Sequence, residues 1–198
     1  MILDVFTYFS SKFYKYCSLP FFKLWCVINF FIKYIFFGYE NAFLSLSRYD
    51  KFNVKLIMKL IGAKIGDKSV IDSGIRFHNC KNLRNLEIGN NCSIGKDCFF
   101  DLRAKVIIEN NVTISMNTTF ISHQDLGRSK LSTIYKSTSS TIIVKSNSYI
   151  GANSIILQGT IIDHYSIISA SSCVIKSTEP RSLYGGVPAK KIKDIDGI

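Results

Sequence analysis

Residues 144–175 read VKSNSYIGANSIILQGTIIDHYSIISASSCVI, and a period of six runs through them. Val144, Ile150, Ile156, Ile162, Ile168 and Val174 fall at that spacing, and Ser148, Ser154, Thr160, Ser166, Ser172 and Thr178 each follow four residues later. A helix would set its apolar residues three and four apart, and an isolated strand would alternate them by two. A strict six combines short strands with a corner in every repeat. The aliphatic residue points inward, and the small hydroxyl residue leaves room for it. Three such sides make one turn of about 18 residues, so the expected fold is an all-β solenoid in the form of a three-sided prism.

The same beat runs earlier through Ile65, Ile71 and Phe77, then Ile88, Ile94 and Phe100, then Ile108, Ile114 and Phe120. It is broken three times: around residues 81–86 between Phe77 and Ile88, between Phe100 and Ile108, and by a long insertion at 121–143. The hexads therefore span 65–179, with 180–198 as a C-terminal tail. Stacked coils touch only their neighbours, so the ends need caps and the flat outer faces stay available to other subunits. Oligomerisation is expected.

Residues 1–50 are a different material. Seventeen of the 26 aromatic residues lie between Phe6 and Tyr49, including the only tryptophan, Trp25. Two helices are expected, over 3–17 and 21–37, divided by Ser18, Leu19 and Pro20 and ended by Gly38. Lys23, Asn29 and Lys33 interrupt the second and argue against a bilayer span. Its phenylalanine-rich face either lies in a membrane interface or caps the solenoid or a neighbouring subunit. No small-residue cleavage site follows a short apolar core, so secretion is not expected. Residues 51–64 carry a short basic amphipathic helix, with Lys51, Val54, Lys55, Ile57, Met58, Leu60 and Ile61 in its pattern, suited to plugging the open end of the prism.

The formal charge is +11, but residues 1–60 hold eight basic and three acidic residues, so the excess is spread over the chain. A nucleic-acid arm would concentrate it. No nucleic-acid partner is expected; anionic cofactors and lipid headgroups suit this surface. The six cysteines form no C-x-x-C pair, and Cys92, Cys98 and Cys173 occupy the small-residue place of their hexads or the one beside it. They read as small buried hydrophobes of a reducing compartment. The three histidines, His78, His123 and His164, lack the close spacing of a metal site. The register places His78 and His123 two coils apart, about 9.6 Å at a strand spacing near 4.8 Å, so no metal is expected. His123 stands where the hexads stop and the insertion begins, and an insertion in a rigid scaffold is where function concentrates. A histidine there can serve as a general base, with Asp125 holding its tautomer.

The stretch Tyr184-Gly185-Gly186-Val187-Pro188-Ala189-Lys190-Lys191-Ile192, preceded by Val174-Ile175-Lys176, resembles the close of the bacterial hexapeptide-repeat acyltransferases, whose fold is a left-handed parallel β-helix. Phe100-Asp101-Leu102-Arg103-Ala104-Lys105, with Ile114 and Ser122-His123-Gln124-Asp125, is similar to the maltose/galactoside-type O-acetyltransferase branch, especially its capsule and exopolysaccharide members. The likeness covers about residues 55–193. It implies a homotrimer with acetyl-coenzyme A in clefts between subunits, His123 as the base, and Asp125 as its orienting partner. Asp101 and Arg103 fall where the family lines the acceptor pocket. Tyr149, Gly151 and Ala152 match the family's aromatic-Ile-Gly-small segment, Ala170 and Ser171 the small pair beside the pantetheine arm, and Lys176, Lys190 and Lys193 the basic positions facing the coenzyme A phosphates. The tail after Glu179 is too short for the helical C-terminal domain of the lipid A fatty-acyl enzymes, which leaves a short acyl group. The expected reaction is transfer of acetyl to a hydroxyl of a sugar or glycan precursor of capsule, exopolysaccharide or O-antigen type. The rivals are N-acetylation of an amino sugar and a catalytically silent β-helix scaffold. The expected location is cytoplasmic, with residues 1–50 as a candidate contact with the inner face of the membrane.

Overall fold

The computed structural model describes residues 20–197, so the helix expected over 3–17 and Cys17 lie outside them. The hexads wind into three parallel sheets, one per face of a prism. The first face holds strands Lys64–Ile65, Leu86–Ile88, Val106–Ile108, Ile142–Val144 and Ile161–Ile162. The second holds Val70–Ile71, Ser93–Ile94, Thr113–Ile114, Tyr149–Ile150 and Ile167–Ile168. The third holds Arg76–His78, Phe99–Asp101, Thr119–Ile121, Ile155–Leu157 and Cys173–Val174. Register stacks each inward residue on its counterpart one coil earlier: Ile88 on Ile65, Ile94 on Ile71 and Phe100 on Phe77. Ile150, Ile156 and Ile162 are wholly buried on three successive walls, as the period requires.

The corners explain why the chain keeps turning. The third residue after an inward one takes a positive φ in every uninterrupted corner from Lys68 to Ser171. Asn91, Asp97, Asn111, Asn117, Asn147 and Asn153 occupy six of these places, with φ between 55° and 62°. Asparagine and aspartate tolerate this left-handed conformation, and Gly74 and Gly159 take it where no side chain stands. Two places before four of these corners stand Gly66, Gly89, Gly95 and Gly151, whose backbones lie close against the next coil. A Cβ on Gly151 would lie 2.4 Å from the Ala170 amide nitrogen, so coil stacking alone demands glycine there. In several small-residue slots the hydroxyl satisfies a neighbouring coil's carbonyl, Ser148 on Asp163 at 2.8 Å and Ser154 on Ser169 at 3.1 Å. Cys92 and Cys98 stand in the same slots as buried free thiols, and the Cys92 Sγ likewise donates to the Glu109 carbonyl.

Among the described residues, the N-terminal cap consists of three helices: α1 (Pro20–Phe36), α2 (Gly38–Leu46) and α3 (Lys51–Leu60). Gly38, at φ +83°, ends α1 as expected, but the chain turns straight into α2, which the sequence did not signal. No side chain caps α2 at its start. Its burial explains it: Phe43 reaches Phe77 of the third face, with ring centroids 5.8 Å apart. Asp50 caps α3 by accepting the Phe52 and Asn53 amides, and Val54, Ile57 and Met58 close the open first coil. In α1, Cys26 and Phe30 pack inward, while Phe21, Leu24, Trp25, Ile28, Ile32 and Ile35 on the opposite side are 44–82% exposed. Capping is thus the work of one face of α1, and among the described residues a second apolar face stays exposed. At the other end, the expected tail folds as an antiparallel hairpin, Ser182–Gly186 with Ala189–Asp194, whose first strand extends the second face beside Ile167–Ile168.

Candidate active site

The three breaks in the period all follow a third-face phenylalanine. Phe77, Phe100 and Phe120 form a column, with centroids 6.0 and 5.0 Å apart and the upper pair parallel to within 2°. The chain departs from the hexad just beyond each ring, so the departures stack along one edge of the prism. That edge brings Asn79, Asp101, Ser122 and His123 together although about 20 residues of chain separate each level.

His123 leaves the third face to open the insertion, pairing with Ser139 in a short antiparallel ribbon of His123–Gln124 against Thr138–Ser139. Its Nδ1 lies 2.6 Å from the Asp101 Oδ2, and its side chain is 17% exposed. The Asp101 side chain is buried at 2% and also accepts the Ser122 amide and hydroxyl, each at 2.9 Å, and the Asn79 amide at 2.8 Å. Burial pushes its pKa up, but the hydrogen bonds from His123, Asn79 and Ser122 outweigh that and hold it below the ordinary carboxylate value. A carboxylate so anchored keeps Nδ1 protonated and leaves Nε2 bearing the lone pair.

Asp125 is a correction. The sequence made it the partner of His123, but its Oδ2 accepts Arg103 at 3.0 Å and its Oδ1 accepts the Gly127 amide and the Ser137 hydroxyl. The Gly127 amide, Arg103 and Ser137 bring its pKa down to about 2. Two residues beyond His123 the ribbon has already carried it away from the imidazole, whereas Asp101 belongs to the strand stacked directly below. Asp101 in turn is too buried to serve as an acceptor-facing wall, the role the sequence expected of it. Arg103 does line a chamber of about 590 Å³, together with Arg76, His78, Asn79 and Cys80 on the solenoid side.

Asn79 also belongs to this cluster, and its spacing in the sequence did not single it out. Its Nδ2 bonds Asp101 and stands within hydrogen-bond reach of both ring nitrogens of His123, at 3.4–3.5 Å. The signal was available: Asn79 sits at the first break, just above Phe77, at φ 55°. The nearby nucleophiles are disarmed. Burial, with Asp101 adding to it, pushes the Cys80 thiol up to about 12, and the Ser122 hydroxyl is spent on Asp101 and on the Ala104 amide.

The residues expected to face coenzyme A do not meet His123 within one chain. Tyr149 is exposed on the second face, and Gly151, Ala152, Ala170 and Ser171 turn the edge between the second and third faces. His123 occupies the edge between the third and first. Ala170 and Ser171 are small and exposed, as a narrow slot needs, while Gly151 is accounted for by coil stacking. Lys176, Lys190 and Lys193 are exposed and have no carboxylate partner among the described residues, whereas Lys191 is held by Glu179 and Asp194 at 2.6 Å. No group of three or more histidines, cysteines and carboxylates among the described residues is arranged to hold a metal.

Residues 86–119 match the family model described as the hexapeptide repeat of succinyl-transferase. Protein CapG of Staphylococcus aureus is 30% identical over 148 residues, which cover 72% of this chain and 78% of that protein. The chain belongs to the hexapeptide-repeat acyltransferases. Another member of similar sequence, the galactoside O-acetyltransferase of Escherichia coli K12, is 27% identical over 143 residues, 71% of this chain and 68% of the enzyme. A hexapeptide-repeat acetyltransferase from Vibrio cholerae, solved with acetyl-coenzyme A, superposes with a TM-score of 0.67 at 22% identity, covering 78% of this chain and 83% of that one. That is a likeness of fold, and it identifies the prism as the family's left-handed parallel β-helix.

Proposed function

We propose that this hexapeptide-repeat protein transfers an acetyl group from acetyl-coenzyme A to a hydroxyl of a sugar or glycan precursor. The single observation that carries the reading is the His123–Asp101 pair at 2.6 Å, on the edge where the hexads break. The names of its relatives, a galactoside O-acetyltransferase among them, point to the same reaction. With Nδ1–H donated to Asp101, Nε2 takes the proton of the acceptor hydroxyl as that oxygen attacks the thioester carbonyl. The carbon–sulfur bond breaks, and the proton passes from Nε2 to the departing thiolate, leaving an acetyl ester and coenzyme A. Transfer is direct, because neither Cys80 nor Ser122 is free to form an acyl-enzyme.

The reading includes a homotrimer. Ala152, Ala170 and Ser171 lie on a different edge from His123, so a cleft that uses both must be built by two chains. Tyr149, Ile155, Ile167 and Ile175 leave apolar surface on the outer faces for such contacts. It also includes a cytoplasmic protein resting on the inner membrane face. No described helix is long and apolar enough to cross a membrane, but the outer face of α1 is a continuous apolar stripe around Trp25, on a chain of net charge +11. Such a helix settles into the headgroup region of an anionic bilayer.

Labelled acetyl-coenzyme A, offered with paired hydroxyl and amino sugar acceptors, tests the reaction: an alkali-labile ester is expected. An alkali-stable amide would establish N-acetylation instead, and no product with any acceptor would leave the scaffold reading. For the membrane, the full chain is expected to sediment with anionic vesicles, and a Trp25→Glu/Ile28→Glu variant to stay in the supernatant. Equal sedimentation of the two would remove α1 as the docking face.

A further inference from the structure

The chamber beside the reacting edge has two unlike walls. One is the third face, with Arg76, Asn79, Lys81 and Arg103; the other is α2, which presents Tyr39, Phe43 and Leu44. Asn79 joins the chamber to the site, since it bonds Asp101 and approaches His123. Three cations line it against one carboxylate, Glu40. Arg103 is already paired with Asp125. Arg76 has no carboxylate partner among the described residues; its guanidinium lies over the Phe99 ring, 5.8 Å from the centroid. An arginine braced on an aromatic presents a fixed planar fork, which matches phosphate oxygens in pairs. A neutral sugar would leave that charge unused.

The opposite wall points outward to apolar surface. Leu44 lines the chamber yet is 66% exposed, and Phe37, at the turn into α2, is 65% exposed. Both belong to the helical cap that also carries the exposed apolar face of α1. We propose that the chamber binds an acceptor sugar carried on a phosphate or diphosphate with a hydrocarbon tail: Arg76 holds the anion, the sugar reaches His123 past Asn79, and the tail leaves over Leu44 onto the membrane-facing side of the helical cap. This rests on the acetyl-transfer reading and names the acceptor class for the same site. It gives α2 a purpose that capping alone does not, since a cap need not leave a basic chamber beneath it.

The test is calorimetric titration of the full chain with farnesyl diphosphate, inorganic diphosphate and uridine diphosphate, with saturating coenzyme A present to fill its own site. Farnesyl diphosphate is expected to bind at least tenfold more tightly than either tail-free probe. Arg76→Ala should weaken it at least tenfold, and Leu44→Glu should weaken it while leaving inorganic diphosphate unchanged. Both positions are exposed, so a melting curve suffices to verify folding. Tighter binding of uridine diphosphate would overturn the hydrocarbon carrier in favour of a nucleotide-linked sugar, and farnesyl diphosphate binding that ignores Arg76→Ala would overturn the anion site. Either failure, alongside His123-dependent acetyl transfer to simple sugars, sinks this inference alone. Absence of transfer to every acceptor sinks the proposed function instead.

Discussion

Replacing His123 by alanine is expected to lower kcat about 10²- to 10⁴-fold, the usual contribution of a positioned general base. The KM for acetyl-coenzyme A should change little, because the imidazole moves a proton during transfer and does not hold the bound coenzyme. Folding should survive: the ring is partly exposed, and Asp101 keeps three other donors in Asn79 and Ser122. A loss of about 1 kcal/mol, one hydrogen bond's worth, is the expected stability cost. Steady-state kinetics with a melting curve decide the matter. A variant that retains most of its turnover would end the assignment of His123 as base and favour the scaffold reading.

Asp101 gives the second large effect, and its two variants separate chemistry from structure. Asp101→Asn keeps the size of the side chain but places an amide against the imidazole. The tautomer that leaves Nε2 free is no longer favoured, and kcat should fall about 10²- to 10⁴-fold. Asp101→Ala removes the acceptor for four donors in a buried place: the Ser122 amide and hydroxyl, the Asn79 amide and His123 Nδ1. That variant should also lose about 3 kcal/mol of stability, since buried donors are left unpaired. The pH dependence follows from the same bonds. The folded-state pKa of Asp101 lies below its unfolded value, so the unfolded chain binds this proton first as pH falls. The stabilisation is complete above the unfolded value of about 3.9 and drains away as pH drops through the folded one. Wild-type stability should therefore decline below about pH 4 more steeply than that of Asp101→Asn. Parallel acid-denaturation curves, or Asp101→Asn with wild-type kcat, would show that Asp101 does not hold the imidazole.

The position of His123 was legible and its carboxylate partner was not, for one physical reason. A break in a periodic sequence is visible locally, so His123 at the mouth of the insertion stood out. Which carboxylate meets it depends on how far each loop carries the chain from the prism edge. Asp125 is two residues away in sequence, yet it is turned toward Arg103; Asp101 is 22 residues away, yet it lies in the strand directly beneath. Asn79 was missed on the same ground. Its contact with His123 spans 44 residues and exists only because the three breaks fall on one edge.

By itself, the order of residues determined the coil: inward apolar residues every sixth place, mostly hydroxyls or thiols four places on, and mostly asparagine, aspartate or glycine at the corners. These follow from neighbours in the chain and from steric limits on each residue's backbone, so no distant contact is needed to read them. Tertiary structure alone decided the company His123 keeps, the existence of α2, the hairpin that closes the last coil and the two-faced character of α1. Each of these is set by what packs on it from another turn of the solenoid or another helix, a relation that spacing along the chain does not encode.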